Sequence, residues 1–188
     1  MARSYTLKKR AEQQADTRRR IVEAAVDLHS TVGPAATTIS MIADRAGVQR
    51  QTFYAHFPDD RALAMACSGL AFERDPLPAL EPLLALAPGA ARLEEGLSRL
   101  YGWYERNAQL TACVLRDAEH HVLTREIADL RFGPPMSAYR AALAEGLAAH
   151  RGPLLDLAMS YHSWRTLTAE AGLTTPQAAA LMTRTLAG

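Results

Sequence analysis

The chain has 188 residues and 20.5 kDa, is 48% hydrophobic but only 6% aromatic, and carries 21 Lys+Arg against 20 Asp+Glu. Its 36 alanines and 25 leucines stand against ten Val and Ile together, a mix that favours helix and excludes an extensive sheet. No apolar run reaches the roughly 18 residues of a membrane span, and the N-terminus lacks the apolar core of a secretion signal, so the expected location is the cytoplasm with no membrane partner. Cys67 and Cys113 are isolated and suit buried thiols rather than a disulfide framework or a zinc site, and no cofactor is expected.

Residues 1–16 read as a basic flexible arm. Before residue 21, Arg3, Lys8, Lys9, Arg10, Arg18, Arg19 and Arg20 face only Glu12 and Asp16. Residues 1–57 sum to about +4 and the remainder to about −3, so the N-terminal part is the one suited to a polyanion. Ile21, Ala25, Leu28 and Val32 recur at helical spacing behind Asp16 as N-cap, and Gly33-Pro34 stops this first helix. Thr38 caps a short helix that turns Ile39, Ile42, Ala43 and Ala46 inward, and Gly47 takes the left-handed turn position. A further short helix over residues 50–55 carries Phe53 inward, with Val48 and Phe57 closing the unit ahead of Pro58. Two short helices joined by a tight glycine turn form a helix-turn-helix, giving a domain over residues 17–58.

A connecting helix is expected over residues 59–75, with Leu63, Ala66, Cys67 and Leu70 as its stripe. Pro76, Pro78 and Pro82 then break the chain, and residues 76–188 are expected to form a second helical domain. Its first long helix follows Pro88-Gly89 and sets Leu93, Leu97, Leu100, Tyr101 and Tyr104 on one side. A helix over residues 108–118 runs into a less regular polar segment ending at Gly133-Pro134-Pro135. Met136, Tyr139, Leu143 and Leu147 mark another helix, which Gly152-Pro153 terminates. Helices over residues 154–171 and 176–186, parted by Gly172, complete an all-α chain: a three-helix helix-turn-helix domain on a larger helical bundle.

The spacing of Thr38, Ile42-Ala43, Ala46-Gly47-Val48, Thr52, Phe53-Tyr54, His56-Phe57 and Leu63 closely resembles the N-terminal signature of the tetracycline-repressor (TetR) family of bacterial transcription regulators. Arg20-Ile21-Val22-Glu23-Ala24-Ala25 through Gly33 is similar to that family's first helix. Side-chain chemistry points the same way. Arginine pairs with guanine O6/N7 and glutamine with adenine N6/N7, and the N-terminal end of a recognition helix points at base edges. Gln49, Arg50 and Gln51 are therefore the expected base readers. Thr38, Thr52, Tyr54 and His56 are expected to hold phosphates, and Arg18 and Arg19 either add backbone contacts or form a solvated charge cluster. The resemblance agrees for Thr38 and Tyr54. The chain departs from the family at Gln51, where a small residue is usual, and at Asp60, where a phosphate-binding lysine is common; Asp59 and Asp60 suit helix capping instead.

The resemblance further implies a homodimer that binds double-stranded DNA at a palindrome, two recognition helices lying about 34 to 36 Å apart in successive major-groove turns. It also implies a small-molecule effector that moves the fourth helix and releases a repressor from its operator. The last two helices carry the expected interface, with Leu157, Tyr161, Trp164, Leu181 and Met182 as its residues, although both stripes equally suit a monomer core. Candidate effector-pocket residues are Trp103, Tyr104, Asn107, Cys113, Arg116, His120, Met136, Tyr139, Met159 and His162, the large or polar side chains among aliphatic helices. No nucleotide, metalloprotease or hydrolase motif is present, and Asp117, His120 and His121 lack the Glu-x-x-His pairs of a di-iron bundle, so no catalytic or metal site is expected. The alternative is a non-enzymatic helical adaptor that binds protein, against which the charge split and the Gln49-to-His56 face argue.

Overall fold

The computed structural model describes residues 2–188, with side chains from residue 8 onward; Arg3 of the basic segment lies outside the described side chains. The described residues form helices and no strand. They fall into two compact units, one made of Met1–Arg74 with Ala112–Asp129, the other of Asp75–Thr111 with Leu130–Gly188. The second domain expected over residues 76–188 is therefore not one body, because residues 112–129 pack with the N-terminal unit.

In the first unit, α1 runs from Ala2 to Thr31 without a break. The segment expected as a flexible arm through residue 16 is thus helical, and Asp16 does not cap the helix. It sits inside it, 2.7 Å from Arg19 Nη2 and 3.5 Å from Arg20 Nε. Residues 8–31 contain neither Gly nor Pro, and Glu, Gln, Lys, Arg and Ala are strong helix formers whose oppositely charged pairs one turn apart support the helix. Next come α2 (Ile39–Ala46), α3 (Arg50–His56) and α4 (Asp60–Arg74). Asp59 Oδ1 accepts the Ala62 N–H at 2.7 Å and caps α4. Ile21, Ala25 and Leu28 of α1, Ile42 and Ala46 of α2, Phe53 and Phe57, and Leu63 and Cys67 of α4 bury each other in one apolar cluster.

The turn after α1 is locked from outside the three-helix motif. Gly33 adopts φ 101°, a left-handed conformation glycine tolerates. Beside it the buried Asp117 carboxylate accepts the Ala35 N–H at 2.8 Å and pairs with Arg116, whose Nη2 also donates to the Val32 carbonyl. Burial works to raise the Asp117 pKa, yet the Arg116 guanidinium and the Ala35 N–H outweigh it and hold the carboxyl below its ordinary value. His29 lies nearby, with Nδ1 3.5 Å from Cys67 Sγ. Desolvation pushes its pKa down to about 4, even though the Asp117 charge works in the opposite direction. The fold thus favours neutral His29, and its protonation penalty is absent above pH 6.5 and grows as the pH falls to 4. Unfolding by urea should show a loss of up to about 3 kcal/mol from this group over that window; the loss should shrink in His29→Gln, and equal pH profiles for the two proteins would refute the assignment.

The second unit is built on α6 (Ala90–Arg106), preceded by the single turn α5 (Glu81–Leu84). Helices α7 (Ala108–Ala118) and α8 (Val122–Ala144) each contribute to both units. The less regular segment expected before Gly133-Pro134-Pro135 is instead the first half of α8, which continues through both prolines. Each proline removes one helical N–H. Both prolines are exposed, as is Leu130 one turn before Pro134.

The helix expected over residues 154–171 is also revised. It is divided into α9 (Gly152–Met159), α10 (Tyr161–Arg165) and a π-helical turn at Thr166–Glu170. Ser160 is extended, at φ −69° and ψ 136°, and its side chain accepts the His162 N–H to start α10. The break leaves the last carbonyls of α9 without helical partners, and two buried tyrosines of α6 take them: Tyr101 Oη donates to the Ala158 carbonyl and Tyr104 Oη to that of Met159, each at 2.7 Å. Chain-terminal α11 (Thr175–Ala187) opens with a reciprocal capping box between Thr174 and Gln177 and packs on α6.

Candidate nucleic-acid interface

Thr38 caps α2 from an extended backbone, its hydroxyl accepting the Met41 N–H at 3.3 Å. At the other end Gly47 takes φ 65° and ψ 41°, and its N–H and that of Val48 close on the carbonyls of Ala43 and Asp44. This left-handed step sends the chain off the α2 axis and into α3. What fixes α3 is its inner face. Phe53 and Phe57 are each 1% exposed, their rings 5.8 Å apart, and Val48 packs against the same cluster.

With that face anchored, the opposite one is forced outward. Gln49, Arg50, Gln51 and Tyr54 are exposed, Thr52 and His56 half-buried. Gln49 occupies the N-cap position but makes no capping hydrogen bond, so its amide stays available at the tip of α3. The structure therefore brings the three expected base readers together at one exposed helix start. Thr38 is exposed, and Tyr54 stands out from the surface with its ring edge-on to Phe53.

The two arginines expected to touch phosphates are more constrained. Arg19 bonds Asp16 and Glu23, while the Arg18 guanidinium lies over the Phe57 ring, 4.5 Å from its centre. One polar feature was not anticipated: Arg10, Gln13, Gln14 and Thr17 of α1 face Gln51, Thr52, Ala55 and His56 of α3 across a cleft of about 400 Å³. Its signal in the sequence is the one-turn recurrence of four long or hydroxylic polar residues, legible once α1 is continuous.

The candidate effector residues do not form one group. In the second unit the Tyr104 ring meets those of Trp103, Tyr161 and Trp164, with ring centres 5.5 to 6.0 Å apart, and its hydroxyl donates to the Met159 carbonyl. Tyr139 donates to the Gly96 carbonyl, Asn107 ends α6 and donates to Asp75, Met136 is half-buried on α8, and His162 is exposed. Cys113, Arg116 and His120 belong to the first unit. Of the expected interface residues, Tyr161 and Trp164 are buried in the second unit's own core at 5% and 6% exposure. Leu157 is 54% exposed, and Leu181 and Met182 are half-buried. The buried pair serves intrachain aromatic packing because the Ser160 break turns α10 toward α6.

An all-helical chain that braces a short polar helix in this way belongs to the helix-turn-helix DNA-binding proteins. Residues 21–67 match the family of bacterial regulatory proteins known as tetR. That match covers the helix-turn-helix segment alone, while the fold of the chain as a whole is similar to that of solved structures. A protein of Mesorhizobium loti MAFF303099 assigned to the TetR-family transcriptional regulators is similar at 17% identity and a TM-score of 0.63, covering 92% of this chain and 96% of its own. A Clostridium perfringens protein assigned as a fatty acid metabolism regulator gives 14% identity and a TM-score of 0.61, covering 89% and 96%. A transcriptional regulator of Aquifex aeolicus VF5 gives 18% and 0.57, covering 90% and 97%. Comparison with curated proteins finds no match. No helix among the described residues is long and apolar enough to cross a membrane.

Proposed function

We propose that this DNA-binding regulator acts as a repressor, binding a palindromic operator as a homodimer and leaving it when a small molecule binds the C-terminal helices. The observation that carries the DNA reading is the exposed Gln49-Arg50-Gln51 tip, held at a fixed angle by Phe53, Phe57 and Val48. Arg50 and the two glutamines read base edges, while Thr38, Thr52, Tyr54 and His56 hold the flanking phosphates. The outer surface of α9 and α11, with Leu157, Leu181 and Met182, supplies the dimer contact. A palindrome follows from that symmetry, since one short helix reads too few bases to select a site. Effector release operates by population shift: a ligand that fits one arrangement of the helices better draws the chain toward it.

The test is selection of duplexes from a randomised pool, followed by binding measurements on variants. Arg50→Ala should cost about 1 to 3 kcal/mol on the selected site and relax preference at one base pair, whereas Tyr54→Phe should weaken all sequences alike. Uniform losses in both variants would show that the two roles are not separated as described. Small molecules that dissociate the selected complex would then identify the effector class.

A further inference from the structure

The uncompensated positive charge of α1 lies near its N-terminal end. Arg19 and Arg20 are paired with Asp16, and Arg18 is placed over Phe57. Lys8, Lys9 and Arg10 are exposed and make no ion pair among the described residues. From Arg10 the polar face of α1 borders the cleft shared with α3, where Gln14 and Thr17 look across to Gln51 and His56. No carboxylate lines this cleft, and every lining side chain but Ala55 carries an N–H or O–H group.

We propose that the cleft receives the sugar-phosphate backbone of the strand bordering the major groove that α3 enters, with Arg10 on one wall and His56 on the other. A phosphodiester is an anion that accepts hydrogen bonds and donates none, so donor-rich walls free of carboxylates match it. Continuity with the α3 reading face gives the strand its course: a backbone leaving Gln51 passes between the helices toward Arg10 and on to Lys8 and Lys9. Residues 8–17 of α1 then lie along the duplex as a preformed arm and lengthen the footprint beyond the bases that α3 reads. This inference rests on the DNA-binding reading of α3.

The experiment uses the full chain and the duplex selected from randomised DNA, with affinity measured against salt concentration and hydroxyl-radical protection mapped on both strands. Each phosphate neutralised contributes a slope of about 0.9 in the logarithmic salt plot and about fivefold in affinity near 0.15 M salt. Arg10→Ala should lose that increment per bound chain, equally on selected and random duplexes, together with protection at the outer flank. Arg10→Lys should retain the slope, and unchanged helical circular dichroism separates these effects from misfolding. Superimposable salt plots for wild type and Arg10→Ala would overturn the proposal, as would a loss confined to one base pair, which would make Arg10 a base reader. If the wild-type chain binds no duplex, the reading of α3 itself fails. If it binds and Arg50→Ala loses selectivity while Arg10→Ala is silent, only the cleft assignment falls.

Discussion

Replacing Phe53 by alanine should lower the unfolding free energy by about 3 to 5 kcal/mol, the range for deleting a fully buried aromatic ring. Phe53 is 1% exposed, and its ring meets Phe57 on one side and Tyr54 edge-on. The cavity opens directly beneath α3, a helix of only seven residues. So short a segment has no stability of its own and depends on tertiary packing. DNA affinity should therefore fall on every sequence, beyond what loss of any one polar contact produces. Urea unfolding and a gel shift on the same preparation check this. A variant that keeps wild-type stability yet loses DNA binding would show that α3 is not held by its inner face.

Gly33→Ala should be nearly as damaging, at about 2 to 4 kcal/mol, by a different route. Its φ of 101° is outside the range L-residues adopt readily. A Cβ there would overlap Arg116 Nη2 and stand 2.5 Å from Asp117 Oδ2. Arg116 is exposed and can swing away, but Asp117 is 2% exposed and holds the Ala35 N–H. Moving that carboxylate strands a buried acceptor and an amide together, and α2 follows directly after this turn. Gly47→Ala offers the comparison. Its φ is also positive, yet the nearest foreign atom to an added Cβ is 3.9 Å away, so only the backbone cost of about 1 to 2 kcal/mol applies. Equal losses in the two variants, measured by thermal or urea unfolding, would show that the Asp117 contact contributes nothing.

These two sites mark how far the sequence was legible. The helix-turn-helix could be read because everything that makes it is local: a capping threonine, a left-handed glycine, and Val48, Phe53 and Phe57 within ten positions. The exposed tip followed, since fixing one face of so short a helix fixes the other. Gly33 was legible as a helix stop, but its lock was not, because Asp117 lies 82 positions beyond Ala35, whose N–H it accepts. Asp16 was read as a cap, for which its residue type is suited, whereas ion pairs to Arg19 and Arg20 keep it inside a continuous helix. Pro134 and Pro135 were read as a boundary that a solvated helix face tolerates. In the C-terminal half, an even spread of Leu and Ala marked helices without marking their partners. Tyr161 and Trp164 thus looked equally suited to an interface and to a core, and the break at Ser160 has no local signal beyond a serine able to cap.

The tyrosines that close α9 also set conditions for any guest molecule in the aromatic nest around Tyr104. The hydroxyl protons of Tyr101 and Tyr104 are already committed to peptide acceptors, and burial pushes both phenols well above their ordinary ionisation range. A visitor with strong acceptor atoms must outbid a carbonyl for those protons and, in succeeding, would unfasten the end of α9. One without such atoms leaves the phenols in place and must be held by shape against the rings. Compounds rich in acceptor atoms would therefore loosen this helix, whereas apolar ones would leave it closed.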